Sequence, residues 1–302
     1  MVVKDTFGDK IFNVVNLVLL TLILLLVAYP LYFVILASFS SPLQVQLGNV
    51  FLWPVQPTLE GYRLVLRNDS VWLGFRNTLL YAPAHALTTL ALILPAAYAL
   101  NFRDLRFSNI FIVYFMITMF FSGGMIPTFI LYTRTLNLDD TRWVLFLPGA
   151  FSVGNLIIAR TFFRSTIPEE LREAAEMDGC SEFMYFFKVI LPLSTAIIAV
   201  FALFAFVGNW NSWWNAMMYL TDREGANLVP LQIVLRRILI QAQVTAADLD
   251  MNPDQTNHAE VRLRVEQMKY SLIIIASVPV LIIYPFVQKH FVKGIMIGSL
   301  KG

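Results

Sequence analysis

Residues 208–215 read GNWNSWWN and gather Asn209, Trp210, Asn211, Trp213, Trp214 and Asn215 in one short stretch. Indole faces stack on the C–H faces of sugar rings and carboxamides bond to their hydroxyls, so this combination suits a polyhydroxylated solute. An aromatic belt at a membrane surface also collects tryptophan. The asparagines ask for more, because each is costly in lipid unless it meets a neighbouring helix or a cavity. Both readings stay open for Asn209, Trp210, Asn211, Trp214 and Asn215. Other chemistry is scarce. Cys180 is the single cysteine, and His85, His258 and His290 have no metal-ligand spacing, which removes disulfide frameworks and zinc centres from consideration. No GxxxxGK[ST] run occurs, so the chain lacks that phosphate-cradling loop.

The elements that would carry these residues are apolar. Of 302 residues 58% are hydrophobic and only 14% charged, with a mean hydropathy of +0.66. A soluble domain needs about 25% charged residues to cover its surface. Lipid must therefore meet much of this one. The 22 basic and 20 acidic residues are too evenly balanced and too scattered for a nucleic-acid partner. Ile11–Ala37 carries no formal charge and is long enough to cross a bilayer, and too long for the apolar part of a signal peptide. Further charge-free stretches are Asn77–Leu100, Phe107–Thr133, Trp143–Ala159, Val189–Thr221 and Tyr270–Gln288, which predicts six transmembrane helices. Pro148, Gly149 and Gly154 weaken the fourth. Lysine and arginine divide evenly between the two sides, but they are denser on the side of the termini, which points to cytoplasmic termini. These spans contain no Asp, Glu, Lys or Arg. His85 is the ionisable exception, and a lone histidine there reads first as a packed, hydrogen-bonded residue and second as a proton relay.

Residues 165–188, STIPEELREAAEMDGCSEFMYFFK, interrupt this apolar text with strong helix signals. Thr166 and Glu169 make a capping box, Pro168 sits in the first turn, and Gly179 offers a left-handed stop after about three turns. Ser181 then caps a second short helix. The pattern predicts helix, sharp turn, helix.

Glu173-Ala174-Ala175, Asp178-Gly179 and Leu191-Pro192 resemble, in residue type and spacing, the EAA loop of permease subunits in bacterial ABC importers. FFSGGMIPTFIL at 120–131, LPGAFSVGNLIIARTFF at 147–163 and YPFVQKHFVKGIMIGSLKG at 284–302 resemble the carbohydrate-uptake members, in particular the second, six-span permease of maltose-type transporters and a subgroup associated with complex oligosaccharides. The likeness covers nearly the whole chain. It implies an all-α, polytopic type I importer permease fold, with one integral membrane domain over 1–302, a cytoplasmic coupling loop at 165–188 and an external loop at 221–269. It also implies a bacterial cytoplasmic (inner) membrane location with both termini cytoplasmic. The implied partners are a homologous permease in a heterodimer, two ATP-binding subunits and an extracytoplasmic solute-binding protein. ATP and Mg would sit on the ATPase subunits, leaving this chain non-catalytic and without a cofactor.

In that setting Ala174, Ala175 and Met177 would form a small apolar face for a groove of the ATPase. Asp178 and Gly179 would set the elbow's angle, and Glu173 would pair with a basic group or cap locally. Leu228–Leu239, an amphipathic stretch in the external loop, would reach the binding protein, while Asp248–Glu260 reads as a polar, mobile stretch. The rival readings are an ion-gradient-driven secondary transporter or channel, and a membrane-bound enzyme. The latter lacks any cluster of His, Cys or paired carboxylates within a span.

Overall fold

A computed structural model of the chain describes residues 6–101, 105, 107–221, 224–240 and 256–299, with the side chains of the last stretch described at 263 and 265–285. Helices make up most of the described residues, and no strand occurs among them. In order they form α1 (Phe7–Ser38), α2 (Pro42–Gln46), α3 (Glu60–Leu66), α4 (Asp69–Ala99), α5 (Ser108–Phe120) and α6 (Met125–Ile130). There follow α7 (Trp143–Phe146), α8 (Val153–Thr166), α9 (Glu170–Met177), α10 (Glu182–Tyr185), α11 (Leu191–Leu193), α12 (Thr195–Trp210) and α13 (Trp214–Tyr219). Residues 231–240 make α14, and Thr256–Ser299 make α15.

Three helical stretches are long and apolar enough to cross a membrane: α1, α4 and Val265–Pro285 of α15. Two bent pairs add to them. Ser108–Phe120 meets Met125–Thr135 at 108°, and Glu182–Leu193 meets Thr195–Trp210 at 80°, so the count reaches five if each pair is one span. The expected sixth, over Trp143–Ala159, is not a continuous helix. It breaks after the single turn of α7, and the chain resumes as α8 only at Val153. Pro148 supplies no amide hydrogen to continue the ladder, and Gly149 adopts φ +78.

A broken helix leaves carbonyls without partners, and these must be satisfied away from water. Side chains do it here. His85 Nδ1 lies 2.7 Å from Phe146 O, and Asn209 Nδ2 donates to Leu145 O at 2.9 Å. His85 belongs to a polar stripe on α4 at four-residue spacing, with Asn77 and Tyr81 on the same face. Asn77 Nδ2 donates to Asn227 O (2.8 Å) and Val229 O (3.1 Å), and Tyr81 OH donates to Leu228 O at 3.0 Å. Thr78 Oγ1, one residue along, accepts from Leu231 N at 2.8 Å and so caps the start of α14. The expected amphipathic helix is thus present, beginning after Pro230 and burying Leu231, Ile233, Val234 and Ile238. The polar stretch Asp248–Glu260 lies largely outside the described residues; its last residues, 256–260, already belong to α15.

The chain divides into two compact units, residues 1–69 with 235–277 and residues 70–234 with 278–302. In the first, Gly61 of α3 lies against α15, where an added Cβ would stand 2.5 Å from Gln267 O and would also meet Ser271 Oγ. Only hydrogen fits. Phe33 meets Tyr270 edge to face with centroids 6.2 Å apart, and Ser38 Oγ bonds Tyr62 OH at 2.8 Å. In the second unit Ile93, Ala97, Leu156, Phe163, Phe186 and Phe201 belong to one buried apolar cluster, against which the elbow packs. Gly61→Ala is expected to cost about 1–3 kcal/mol by forcing α3 off α15. Thermal unfolding of the purified protein in detergent reads this directly; an unchanged transition would show that the two helices are not in forced contact.

Candidate functional site: the polar elbow between two apolar segments

The elbow forms, with its start displaced from the expected place. α8 runs through Thr166, so that residue is helical and its side chain makes no capping bond; the Thr166–Glu169 box is absent. Glu169 opens α9 instead, which spans eight residues, nearer two turns than three. The far end follows the sequence signals. Gly179 sits at φ +72, its N–H bonds Glu176 O at 3.0 Å, and Cys180 N–H bonds Ala175 O at 2.9 Å. That pair of bonds is a Schellman stop, and it requires a left-handed residue where glycine alone avoids a Cβ penalty. Ser181 Oγ then accepts from Met184 N at 3.3 Å and caps α10.

Arg172 locks the two arms together. Its guanidinium donates to Glu182 Oε1 across the turn at 2.9 Å and pairs with Glu176 Oε1 one turn along α9 at 3.0 Å. Tyr98 OH, at the end of α4, donates to the other oxygen of Glu182 at 2.5 Å. Burial alone would lower the Arg172 pKa, but its hydrogen bond to Glu182 and the charges of Glu182 and Glu176 outweigh it and hold the group above its ordinary value. The guanidinium stays charged at any working pH. Tyr98, Arg172 and Glu182 were not singled out from the sequence. The spacing of Arg172 and Glu176 was a visible helix pair, but Tyr98 lies 84 residues from Glu182 and no local signal joins them.

The expected docking face is divided. Ala174 and Met177 are exposed, Met177 at 89%, and Leu171 and Phe183 extend the apolar surface. Ala175 turns the other way and packs with Cys180 on the buried cluster. One residue along a helix rotates by about 100°, so adjacent alanines cannot share a face. Glu173, Asp178 and Gly179 are exposed, and Asp178 is the residue that ends α9. Leu191 leans on the cluster while Pro192 is exposed in α11, just before the 80° bend into α12.

The tryptophan–asparagine group separates into buried and open members. Trp210 is 1% exposed, stacked on Phe206 (5.6 Å) and edge-on to Phe75 (5.9 Å), so its ring has no free face for a solute. Asn209 is committed to Leu145 O. Asn211 and Trp214 are exposed and Asn215 half-buried, the last lining with Tyr81 and Ser212 a crevice of about 10 Å³. That space holds no more than one water. His85, bonded to Phe146 O, serves the broken helix.

Comparison with known proteins agrees with this architecture. No family model matches the chain. Over 99% of its length it is 36% identical to Protein LplC of Bacillus subtilis (strain 168), covering 97% of that protein. Over 97% of its length it is 36% identical to the polygalacturonan/rhamnogalacturonan transport system permease protein YtcP of the same organism, covering 99% of it. A crystal structure of a bacterial ABC transporter involved in the import of the acidic polysaccharide alginate includes a chain that superposes with a TM-score of 0.82 at 33% identity, over 95% of this chain and 99% of that one. Bent spans, a polar elbow and full-length identity define a transporter's membrane subunit. The chain belongs to the permease subunits of ABC transporters.

If the Arg172–Glu182–Tyr98 bridge fixes the elbow's angle, Glu182→Ala should change geometry more than stability. Exposed ion pairs of this kind contribute about 0–1 kcal/mol, so the melting transition should move little. The distance distribution between spin labels at Ala174→Cys and Phe183→Cys, in a Cys180→Ala background, should broaden; an unaltered distribution would remove the bridge's positioning role.

Proposed function

We propose that this subunit forms half of the pathway of an ATP-driven, binding-protein-dependent importer of oligosaccharides. The observation that carries the reading is the exposed, internally braced elbow in a chain with full-length identity to transport-system permeases. Two relatives are named for polysaccharide-derived solutes, polygalacturonan/rhamnogalacturonan and alginate, which supports a glycan as the cargo. The chain pairs with a homologous permease, two ATP-binding subunits and an external solute-binding protein. Its termini face the cytoplasm, residues 165–188 meet the ATPase there, and the loop 221–269 meets the binding protein outside. ATP and Mg belong to the ATPase subunits, and this chain is non-catalytic.

In this mechanism closure of the ATPase dimer moves α9, which enters a groove with Leu171, Ala174 and Met177. Motion passes through the Gly179 turn and the Arg172–Glu182 pair to α10, and through Tyr98 to α4. The permeases then rock between inward-open and outward-open states. Glu173 and Asp178 remain available to basic groups of the motor subunit. Leu191 and Pro192 set the bend by which the elbow enters α12. We assign sugar contact to Asn211, Trp214 and Asn215, the members of the tryptophan–asparagine group that keep accessible surface, with Trp210 supporting them from the core.

Two substitutions test the two halves of this reading in the reconstituted importer. Gly179→Val places a β-branched residue at φ +72, a strain of about 1 kcal/mol or more. Uptake should fall several-fold while ATP hydrolysis persists; uptake at the wild-type level would refute the lever. Trp214→Ala should lower uptake without loosening assembly, whereas full uptake would assign Trp214 to the membrane boundary. The identity of the co-purified ligand settles the sugar.

A further inference from the structure

Two arginines of α8 have no role in the elbow. Arg160 and Arg164 stand one turn apart on the same helix, and among the described residues neither forms an ion pair with a carboxylate. Like charges at this spacing repel. Arg160 Nε donates to Leu100 O at 2.8 Å, which fixes the plane of the guanidinium and leaves its terminal nitrogens uncommitted among the described contacts. Both side chains line a cleft of about 300 Å³ together with Asn101, Ser108 and Asn109, and Arg164 is also a wall of a neighbouring cleft of about 350 Å³ that reaches Ser165 and Glu169. Asn101 and Arg164 are common to the two.

The other side of the first cleft is mixed, with Leu105 and Phe107 beside Ser108 and Asn109. Phe107 is 61% exposed, and just beyond the lining Ile110 and Phe111, in the first turn of α5, present further exposed apolar surface. α5 belongs to a bent pair apolar enough to cross a membrane. A cationic wall beside an exposed apolar helix end suits a ligand with an anionic head and hydrocarbon tails. A small soluble anion would use only the first of these features. The guanidinium fork matches phosphate oxygens in pairs, and arginines at the ends of membrane helices attract anionic headgroups.

We propose that the cleft between α8 and the start of α5 is a binding site for the phosphate of an anionic phospholipid, held by Arg160 and Arg164 with the acyl chains along Phe107 and Ile110. The site counters the repulsion between the two arginines and anchors the end of α8 from which the elbow departs. It depends on the chain lying in a membrane, and on neither the identity of the cargo nor the partner of α9.

The test uses the whole importer, purified in detergent and delipidated, then given phosphatidylglycerol, phosphatidylcholine or inorganic phosphate. Native mass spectrometry counts retained lipid and thermal unfolding reports stabilisation. Wild-type protein should retain phosphatidylglycerol in preference to phosphatidylcholine and melt higher with it, and inorganic phosphate should not reproduce the shift. Arg164→Gln removes an exposed side chain without a described hydrogen bond, so the variant is expected to fold; it should retain phosphatidylglycerol about fivefold less well. Arg160→Lys, which keeps the charge and loses the fork, should fall between the two. Equal retention by wild type and Arg164→Gln, no preference between the two lipids, or an equal shift with inorganic phosphate would each overturn the proposal. So would a cross-link from position 164 to an ATPase subunit in place of lipid.

Discussion

A backbone that leaves helical geometry inside an apolar environment must find partners for its exposed amides and carbonyls, and the structure is organised around that requirement. The α4 stripe meets most of it. Asn77, Thr78, Tyr81 and His85 each bond main-chain atoms of segments that are not continuous helix: 227–231 in one direction, Phe146 in the other. Asn209 completes the set from α12. Polar residues in a lipid-soluble chain thus act as substitutes for missing helical hydrogen bonds. His85, read first as a packed, hydrogen-bonded residue, is bonded in that way, and the carboxamide nitrogen of Asn209 serves the same joint.

The elbow follows a different logic. It is polar and largely exposed, and little apolar burial holds α9 in place. Its shape comes from a glycine stop, a serine cap and one shared carboxylate. Glu182 receives Arg172 from one arm and Tyr98 from a membrane helix, so a single side chain relates both arms of the turn to the bundle. Individually these bonds add little stability. Together they restrict orientation, which is what a transmitting element needs.

The apolar runs at 11–37 and 77–100 were legible because membrane crossing is a matter of length and missing charge, both local properties. The Gly179 stop and the Ser181 cap were legible for the same reason. Sequence reasoning misjudged the places where two local signals competed. Thr166–Glu169 has the form of a capping box, yet α8 continues through Thr166 and consumes the residue that should have capped. Trp143–Ala159 has the composition of a span, yet Pro148 and Gly149 break it. Its compensating partners lie 61 and 64 residues away, beyond the reach of any periodicity. Trp210 and Trp214 read alike in sequence; tertiary packing with Phe206 and Phe75 separates them.

His85 and Asn209 address carbonyl oxygens, which every amino acid possesses. The identities of Leu145 and Phe146 are therefore irrelevant to the bonds that hold them, and substitutions at those two positions can accumulate freely as far as this joint is concerned. Selection falls on the donors alone. Among diverging copies of the gene, the break should outlast the residues that compose it, so that its trace survives as a histidine and an asparagine far apart in the text and as nothing at all at the break itself.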